Sequence, residues 1–236
     1  MADVPYHIPA LLTESINALN IKKDGIYADA TFGGGGHSRA ILAALGERGR
    51  LLGFDQDSDA YANRPEDPRF TFVHSNFRHI RNFMRFHGIE RFDGVLADLG
   101  VSFHHFDDAG RGFSFRSDSP LDMRMNRKSE TTAADFVASA DKDTLIGILR
   151  AYTDLKRPHL IAEAIIRSRE QSPILTTGRL AESVAPVLNP KAEKKDLSQV
   201  FQALRIAVNK EMEALGEFLL SMSEILKPGG RLAVLT

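Results

Sequence analysis

The chain has 236 residues, of which 43% are hydrophobic and 26% are charged, and its formal net charge is -1. It contains no cysteine, which excludes disulfides, cysteine-based zinc sites and thiol catalysis within these residues. The near-neutral charge gives no overall signal for nucleic acid. The amino terminus lacks a basic-then-apolar signal and no apolar run approaches membrane-spanning length, so we expect a cytoplasmic protein with no membrane partner.

The first part of the chain predicts a helix, a strand, a glycine loop and a second helix. Apolar residues recur at helical spacing within 10–19, which predicts an amphipathic helix. A predicted strand, 25–30, leads into four consecutive glycines and then a helical run, 38–45. Glycines let the backbone approach a ligand closely, and the start of the next helix presents unpaired N–H groups. This stretch predicts a nucleotide-type pocket rather than a plain glycine turn.

An acidic residue, Asp55, ends the next predicted strand, 51–55. It follows the glycines by about twenty residues, which is where dinucleotide-binding folds place a ribose-binding acid. The dinucleotide fingerprint also needs a third glycine or alanine, but Ser38 or Arg39 stands at that position, depending on the register. An acid at the end of the first strand, Asp29, followed by the glycines, instead resembles motif I of S-adenosylmethionine methyltransferases.

Further strands are predicted at 70–74, 92–98 and 231–236, with a helix at 80–86. Strands that alternate with helices predict an α/β fold with a doubly wound parallel sheet. In such sheets ligands bind at the carboxyl ends of the strands. Four candidate site residues fall at those ends: Asp29, Asp55, Phe77 and Asp98.

The alternation stops after the fourth strand. The pattern from 132 to 187 predicts several helices, and 198–226 predicts one long helix. We therefore expect a discontinuous sheet domain, 1–110 with 200–236, and an inserted helical domain, 111–199.

Several stretches together resemble one family, the bacterial small-subunit ribosomal RNA cytosine-N4 methyltransferases, or MraW family. They occur in the family's order from the start to the end of the chain. The matching stretches are His7-Ile-Pro9, Asp29-Ala-Thr-Phe-Gly-Gly-Gly-Gly-His37, Asp98-Leu-Gly-Val-Ser102, Arg111-Gly-Phe-Ser-Phe-Arg116, Pro120-Leu-Asp-Met-Arg124 and Phe201-Gln-Ala-Leu-Arg-Ile-Ala-Val-Asn209.

The resemblance implies a Rossmann-like methyltransferase sheet with an inserted all-helical domain. It implies methyl transfer from S-adenosylmethionine to the N4 amine of a cytidine in small-subunit (16S) ribosomal RNA. By resemblance, the cofactor contacts are Gly35, Gly36, His37, Asp55, Phe77, Asp98 and His105. His105 stands where the family usually has glutamine, and Phe77 has the alternative interpretation of a core aromatic.

Two further departures from the family pattern concern the second half of the chain. The segment 194–200 replaces a His-Pro-Ala-Thr-Arg run before the long helix. The family also continues beyond the fifth strand, so this chain resembles a C-terminally truncated member.

Asp98 is the expected catalytic residue, because a carboxylate can orient an amine for attack. Cations and aromatics interleave after it, which suits phosphate contacts and base stacking. The alternative is a loop whose arginines pair with Asp118 and Asp122. The predicted RNA contacts are Arg111, Phe113, Phe115, Arg116, Arg124 and Arg127.

The expected partner is small-subunit ribosomal RNA or the 30S subunit, with the protein a monomer or a homodimer and with no metal ion. Two other classes of function stay open at this point. One is a catalytically silent RNA-binding or ribosome-assembly module. The other is an S-adenosylmethionine enzyme that acts on DNA or on a small molecule.

Overall fold

The structure is a computed structural model, and it describes residues 9–100 and 108–236. The chain divides into two compact units, Met1–Gly100 with Met212–Thr236 and Val101–Glu211. The predicted insert, 111–199, falls within the second of these units.

The first unit contains a five-stranded sheet in which every neighbouring pair of strands is parallel, with strand order β3-β2-β1-β4-β5. The strands are β1 (Ile26–Asp29), β2 (Arg50–Asp55), β3 (Phe70–His74), β4 (Phe92–Asp98) and β5 (Leu226–Leu235). The helices of this unit are α1 (Leu12–Leu19), α2 (Gly36–Ala44), α3 (Ile80–Phe86) and a helix that spans Glu211–Ile225.

Apolar helices cover both faces of the sheet. Successive side chains of a strand point to opposite faces, and β2 shows this directly. Leu51 packs in a cluster with residues of α1 and α2, such as Leu19. Leu52 packs in a second cluster, which contains Ile80 of α3 and Phe218. The layers are helix, sheet and helix, which confirms the predicted doubly wound α/β fold.

The predicted long helix, 198–226, is wrong as a single element. Lys210 has φ 50°, in the left-handed region, and separates helices Glu193–Asn209 and Glu211–Ile225. The break is held locally, because the Lys210 N–H donates to the Ala207 carbonyl and the Arg205 guanidinium contacts both carboxylate oxygens of Glu211 at 2.8 and 3.1 Å.

The fifth strand begins earlier than its predicted start at Arg231. Leu226 already pairs with Phe92, and Arg231 pairs with Gly94. The segment 227–230, between the predicted helix and the predicted strand, is therefore a bulge within β5, where Gly229 has φ 76°.

The second unit is helical and has its own apolar core, formed by residues such as Leu145, Ile165 and Leu204. Its helices start where the sequence offers caps. The Thr132 hydroxyl and Asp135 form a capping box, and the Asp141 carboxylate accepts from the Thr144 N–H. We number the helices of this unit α4 (Ala133–Ser139), α5 (Lys142–Tyr152), α6 (Pro158–Gln171), α7 (Thr177–Val184) and α8 (Glu193–Asn209), so that Glu211–Ile225 is α9.

A buried carboxylate at the end of β1 organises the glycine loop. Asp29 has no exposed surface, and it accepts from the Ser38 hydroxyl at 2.7 Å and from the Thr31 N–H at 3.2 Å. Ser38 lies in α2, so these bonds fix both ends of the loop. Burial raises the pKa of Asp29 from 3.8 to about 6, against the lowering effect of Ser38 and Thr31.

The burial of Asp29 predicts a pH-dependent cost to stability. Because the folded-state pKa of Asp29 is raised, the protonated carboxyl adds to the free energy of unfolding. This contribution is complete below about pH 4 and is lost as the pH rises through about 6. In Asp29→Asn, the amide can accept from Thr31 and donate to Ser38 without carrying charge. The free energy of unfolding of the variant, relative to wild type, should rise by roughly 3 kcal/mol between pH 4 and 7.

Urea unfolding at several pH values measures this difference. Asp24→Asn is the matched control, because Asp24 is exposed and pairs with Arg48 at the surface. A stability difference between Asp29→Asn and wild type that stays constant with pH would contradict the argument.

Candidate active site

Three carboxylates lie at the same edge of the sheet. Asp29, Asp55 and Asp98 are the last residues of β1, β2 and β4, and β1 pairs with both of the other strands. The strands are parallel, so their carboxyl ends meet at this edge, where ligands bind in open α/β sheets. This edge is the candidate active site.

The glycine loop crosses this edge with little room for side chains. Gly33 and Gly35 have φ of 49° and 75°. A Cβ on Gly35 would lie 2.8 Å from the Phe32 ring, and a Cβ on Gly36 would lie 2.3 Å from the Pro9 side chain. The predicted cofactor residues Gly35 and Gly36 are therefore required to be glycine by packing alone. They also bring the first turn of α2 to the edge of the sheet, and the first N–H groups of a helix have no acceptor within that helix.

Asp55 binds the backbone with both of its oxygens. Its Oδ2 accepts from the Gly33 N–H and its Oδ1 from the Asp57 N–H, each at 2.8 Å. An ionised carboxylate can accept several hydrogen bonds at once. The side chain is half-buried, and this arrangement suits a carboxylate that accepts hydrogen bonds from a ribose while it holds the loop.

Asp98 is partly exposed to solvent, with 39% of its side chain accessible. Its backbone N–H donates to the Thr31 hydroxyl at 2.6 Å, and its Oδ2 lies 3.9 Å from Nδ1 of the buried His37. Partial burial raises the pKa of Asp98, and His37 opposes that effect. His37 places its other ring nitrogen 3.3 Å from the Ala10 carbonyl.

Phe77 stands after β3, where the sequence placed it, and is partly buried. Its ring lies edge-to-face on Phe218 of α9, with centroids 5.1 Å apart. The same ring packs against the core and keeps some exposed surface, so both interpretations of Phe77 have a physical basis. His105, the last predicted cofactor contact, lies outside the described residues.

Two further side chains hold the loop, and the sequence did not single them out for this role. The Arg39 guanidinium donates to the carbonyls of Gly34 and Asn63, each at 2.7 Å. The Asn63 amide donates to the Gly33 carbonyl at 3.1 Å. Arg39 appeared in the sequence only as a departure from the dinucleotide fingerprint, and no local pattern links it to Asn63.

The predicted RNA contacts are divided between the interior and the surface of the second unit. Arg111 is 3% exposed and donates to the carbonyls of Arg124 and Met125. Phe113 lies in the core, and Phe115 packs on Phe201 with ring centroids 5.3 Å apart. The structure thus gives these side chains packing roles within the unit.

Arg124 forms a bidentate pair with Asp122, at 2.7 Å for each bond, and also donates to the Ser129 carbonyl. This pair agrees with the alternative interpretation, in which the arginines of this loop pair with Asp118 and Asp122. Asp118, in contrast, accepts from the Gly178 N–H.

Arg116 and Arg127 remain at the surface. Half of the Arg127 side chain is exposed, and it contacts Asp108 at 3.0 Å. Arg116 is exposed, and its backbone N–H donates to the Ser114 hydroxyl.

The segment around Arg124 is anchored by one asparagine. Asn209, at the end of α8, donates to the Met123 carbonyl and accepts from the Met125 N–H, at 2.8 and 2.7 Å. Met123 is fully buried with φ 59°, an unusual conformation for a bulky residue.

A separate cleft of about 420 Å³ lies at the amino ends of β4 and β5, lined by residues such as Arg91, Met222 and Lys227. It is far along the strands from the three carboxylates and contains none of the predicted site residues. Within residues 9–100 and 108–236, no group of three histidine or acidic side chains is placed to hold a metal ion. In the same residues no helix combines the length and apolarity that crossing a membrane requires.

Comparison with known proteins gives a consistent picture. The chain is 55% identical over 234 residues to "Ribosomal RNA small subunit methyltransferase H" of Bacteroides thetaiotaomicron, which covers 99% of this chain and 77% of that protein. It is 49% identical over 231 residues to the protein of the same name from Christiangramia forsetii, which covers 98% of this chain and 76% of that protein.

Among solved structures, a putative rRNA-methylase from Clostridium thermocellum is 23% identical, with a TM-score of 0.35, over 41% of this chain and 54% of that one. That likeness is too low to carry an argument. The model of the MraW methylase family matches residues 5–236. Given this match and these relatives, the chain belongs to the MraW methylase family.

Proposed function

We propose that this protein transfers a methyl group from S-adenosylmethionine to the exocyclic N4 amine of a cytidine in small-subunit ribosomal RNA. The observation that carries the proposal is that a partly exposed carboxylate, Asp98, lies beside the glycine loop. The relatives of this chain are named for methylation of this RNA. Asp29 and Asp55 both accept hydrogen bonds that hold the loop, so we assign the substrate contact to Asp98.

The residues at the sheet edge fit S-adenosylmethionine chemically. The cofactor carries a sulfonium and an ammonium group, and Asp29, Asp55 and Asp98 give this edge a negative potential. The backbone at Gly35 and Gly36 can approach a ligand closely, and the Asp55 carboxylate is the kind of group that accepts hydrogen bonds from ribose hydroxyls. Phe77 offers a partly exposed ring beside β3 for an adenine.

The reaction depends mainly on aligning the cytosine amine with the methyl group that it attacks. S-adenosylmethionine, when bound, supplies an electrophilic methyl group on sulfur. The cytosine amine is a weak nucleophile, because its lone pair is delocalised into the ring. Asp98 would accept a hydrogen bond from this amine, direct its lone pair and stabilise the positive charge that develops on nitrogen. Asp98 or a neighbouring water then takes the proton that the amine loses.

The RNA would present its target base unstacked, because a base within a stacked helix could not bring its amine to Asp98. Arg116 and Arg127 are the predicted contacts that remain accessible for phosphates. Arg111, Phe113 and Arg124 would support that surface from within the unit.

A methyl-transfer assay tests the proposal against its alternatives. Protein and tritiated S-adenosylmethionine are incubated with small-subunit RNA or 30S subunits, with DNA, or with no substrate. We expect label in the RNA arm alone. Binding of RNA without transfer would favour a silent assembly module, and label in DNA would favour a DNA enzyme.

Asp55→Ala should weaken S-adenosylmethionine binding by about 1.5–3 kcal/mol, the range for hydrogen bonds to a charged group. Isothermal calorimetry measures the dissociation constant, and NADH should give no heat with either protein. Glu66→Ala, which removes an exposed carboxylate that precedes β3, is the control for net charge. Equal affinity in Asp55→Ala and wild type would remove Asp55 from the cofactor site.

Arg116→Ala and Arg127→Ala should each weaken RNA binding and lower the slope of log affinity against log salt by about 0.7, the value for one single-strand phosphate contact. Arg124→Ala is the contrast, because its guanidinium forms a bidentate pair with Asp122 and its side chain is 22% exposed, against 50% for Arg127. It should lower thermal stability and leave the slope unchanged. A slope that changes only in Arg124→Ala would reverse this assignment.

Asp98→Asn keeps the side-chain shape but removes the charge, and should slow single-turnover transfer by about 10²–10³. Since the pKa of Asp98 is raised, the wild-type rate should fall as the pH drops through a value above the usual aspartate range. The variant should lose that acid limb. Affinity for S-adenosylmethionine should change much less than the rate. Equal losses in affinity and rate would make Asp98 a cofactor ligand only.

A further inference from the structure

We propose that Thr31 positions Asp98 for methyl transfer, because its hydroxyl replaces the backbone acceptor that Asp98 would otherwise use. The inference rests on the proposed function of Asp98 and adds a residue that acts through it. Thr31 does not need to touch either substrate for this role.

The hydrogen-bond ladder between β1 and β4 continues one residue beyond the end of β1. The Ala30 N–H donates to the Leu96 carbonyl at 2.7 Å. In a regular parallel ladder the Ala30 carbonyl would then accept from the residue two positions after Leu96, which is Asp98. The Asp98 N–H instead donates to the Thr31 side-chain oxygen at 2.6 Å. At Asp98, the Thr31 hydroxyl therefore takes the place of the Ala30 carbonyl as the acceptor of the backbone N–H.

The other side of β4 is held in the ordinary way. Asp98 is in register with Leu235 of β5, and the Leu99 N–H donates to the Leu235 carbonyl at 2.9 Å. Asp98 is therefore fixed on one side by a neighbouring strand and on the other by a hydroxyl. Loss of the hydroxyl removes the acceptor of the Asp98 N–H, so the end of β4 and its carboxylate lose one of the two contacts that hold them.

Thr31 is itself fixed by the buried carboxylate of β1. Its N–H donates to Oδ1 of Asp29, whose Oδ2 accepts from Ser38. A continuous path of hydrogen bonds therefore runs from the interior of the sheet to Asp98. The β-branched side chain of threonine also restricts its χ1 angle, which keeps the hydroxyl in place.

Two variants separate the hydroxyl from the shape of the side chain. Thr31→Val keeps the branched shape and removes the acceptor, whereas Thr31→Ser keeps the acceptor. For each protein we would measure single-turnover transfer to small-subunit RNA, the dissociation constant of S-adenosylmethionine, and hydrogen exchange of the Asp98 amide by NMR.

Thr31→Val should slow transfer about 10- to 100-fold, in line with the effect of a small misplacement of a reacting group. Its Asp98 amide should exchange at least about tenfold faster, the consequence of losing one hydrogen bond. Cofactor affinity should stay within about threefold of wild type, and Thr31→Ser should restore the rate and the amide protection.

Unchanged amide protection in Thr31→Val would overturn the proposal. So would a rate loss that Thr31→Ser shares in full, or one that cofactor affinity matches. A wild-type protein that transfers no methyl group would instead overturn the proposed function. In that case, faster Asp98 exchange in Thr31→Val would still show that Thr31 holds Asp98, and only the reaction would be reassigned.

Discussion

A carboxylate with no exposed surface, that of Asp29, is the constraint on which the candidate site depends. Burial disfavours its charge, and the Ser38 hydroxyl and the Thr31 N–H recover part of that cost. Those two bonds tie the end of β1 to α2 and to the residue that holds Asp98. The geometry of the edge therefore follows from satisfying one buried charge.

The three carboxylates at this edge differ in exposure and in their hydrogen bonds. Asp29 is fully buried, Asp55 accepts from two backbone N–H groups, and Asp98 is partly exposed. We therefore assign the three aspartates different roles: Asp29 anchors the loop, Asp55 binds both the loop and the cofactor, and Asp98 binds the substrate amine. This division is what makes the edge suited to a cationic cofactor and an amine.

The sequence was sufficient for features that depend on local pattern. The strands β3 and β4 and the carboxylates at the strand ends follow from runs of apolar residues and from the glycine loop. It could not show the break at Lys210, because lysine is an ordinary helix former and the apolar pattern continues through the left-handed turn.

The sequence also could not show which arginines are buried and which lie at the surface. Arg111 is buried against carbonyls and Arg116 is exposed, although both stand in the same motif. Which cation faces solvent depends on packing in the second unit. Thr31 and Arg39 are likewise recognised only through partners that are far away in the chain, Asp98 and Asn63.

If Asp98 orients an exocyclic amine, the methylated nucleoside must carry its methyl group on such an amine. Small-subunit RNA would be methylated by the protein, digested to nucleosides and analysed by mass spectrometry against synthetic standards. We expect the methyl group on N4 of cytidine. A methyl group on C5 or on the ribose 2′-oxygen would contradict it, because neither position offers an amine for Asp98 to hold. Methylation at C5 would also call for a nucleophile such as a cysteine thiolate, and these 236 residues contain none.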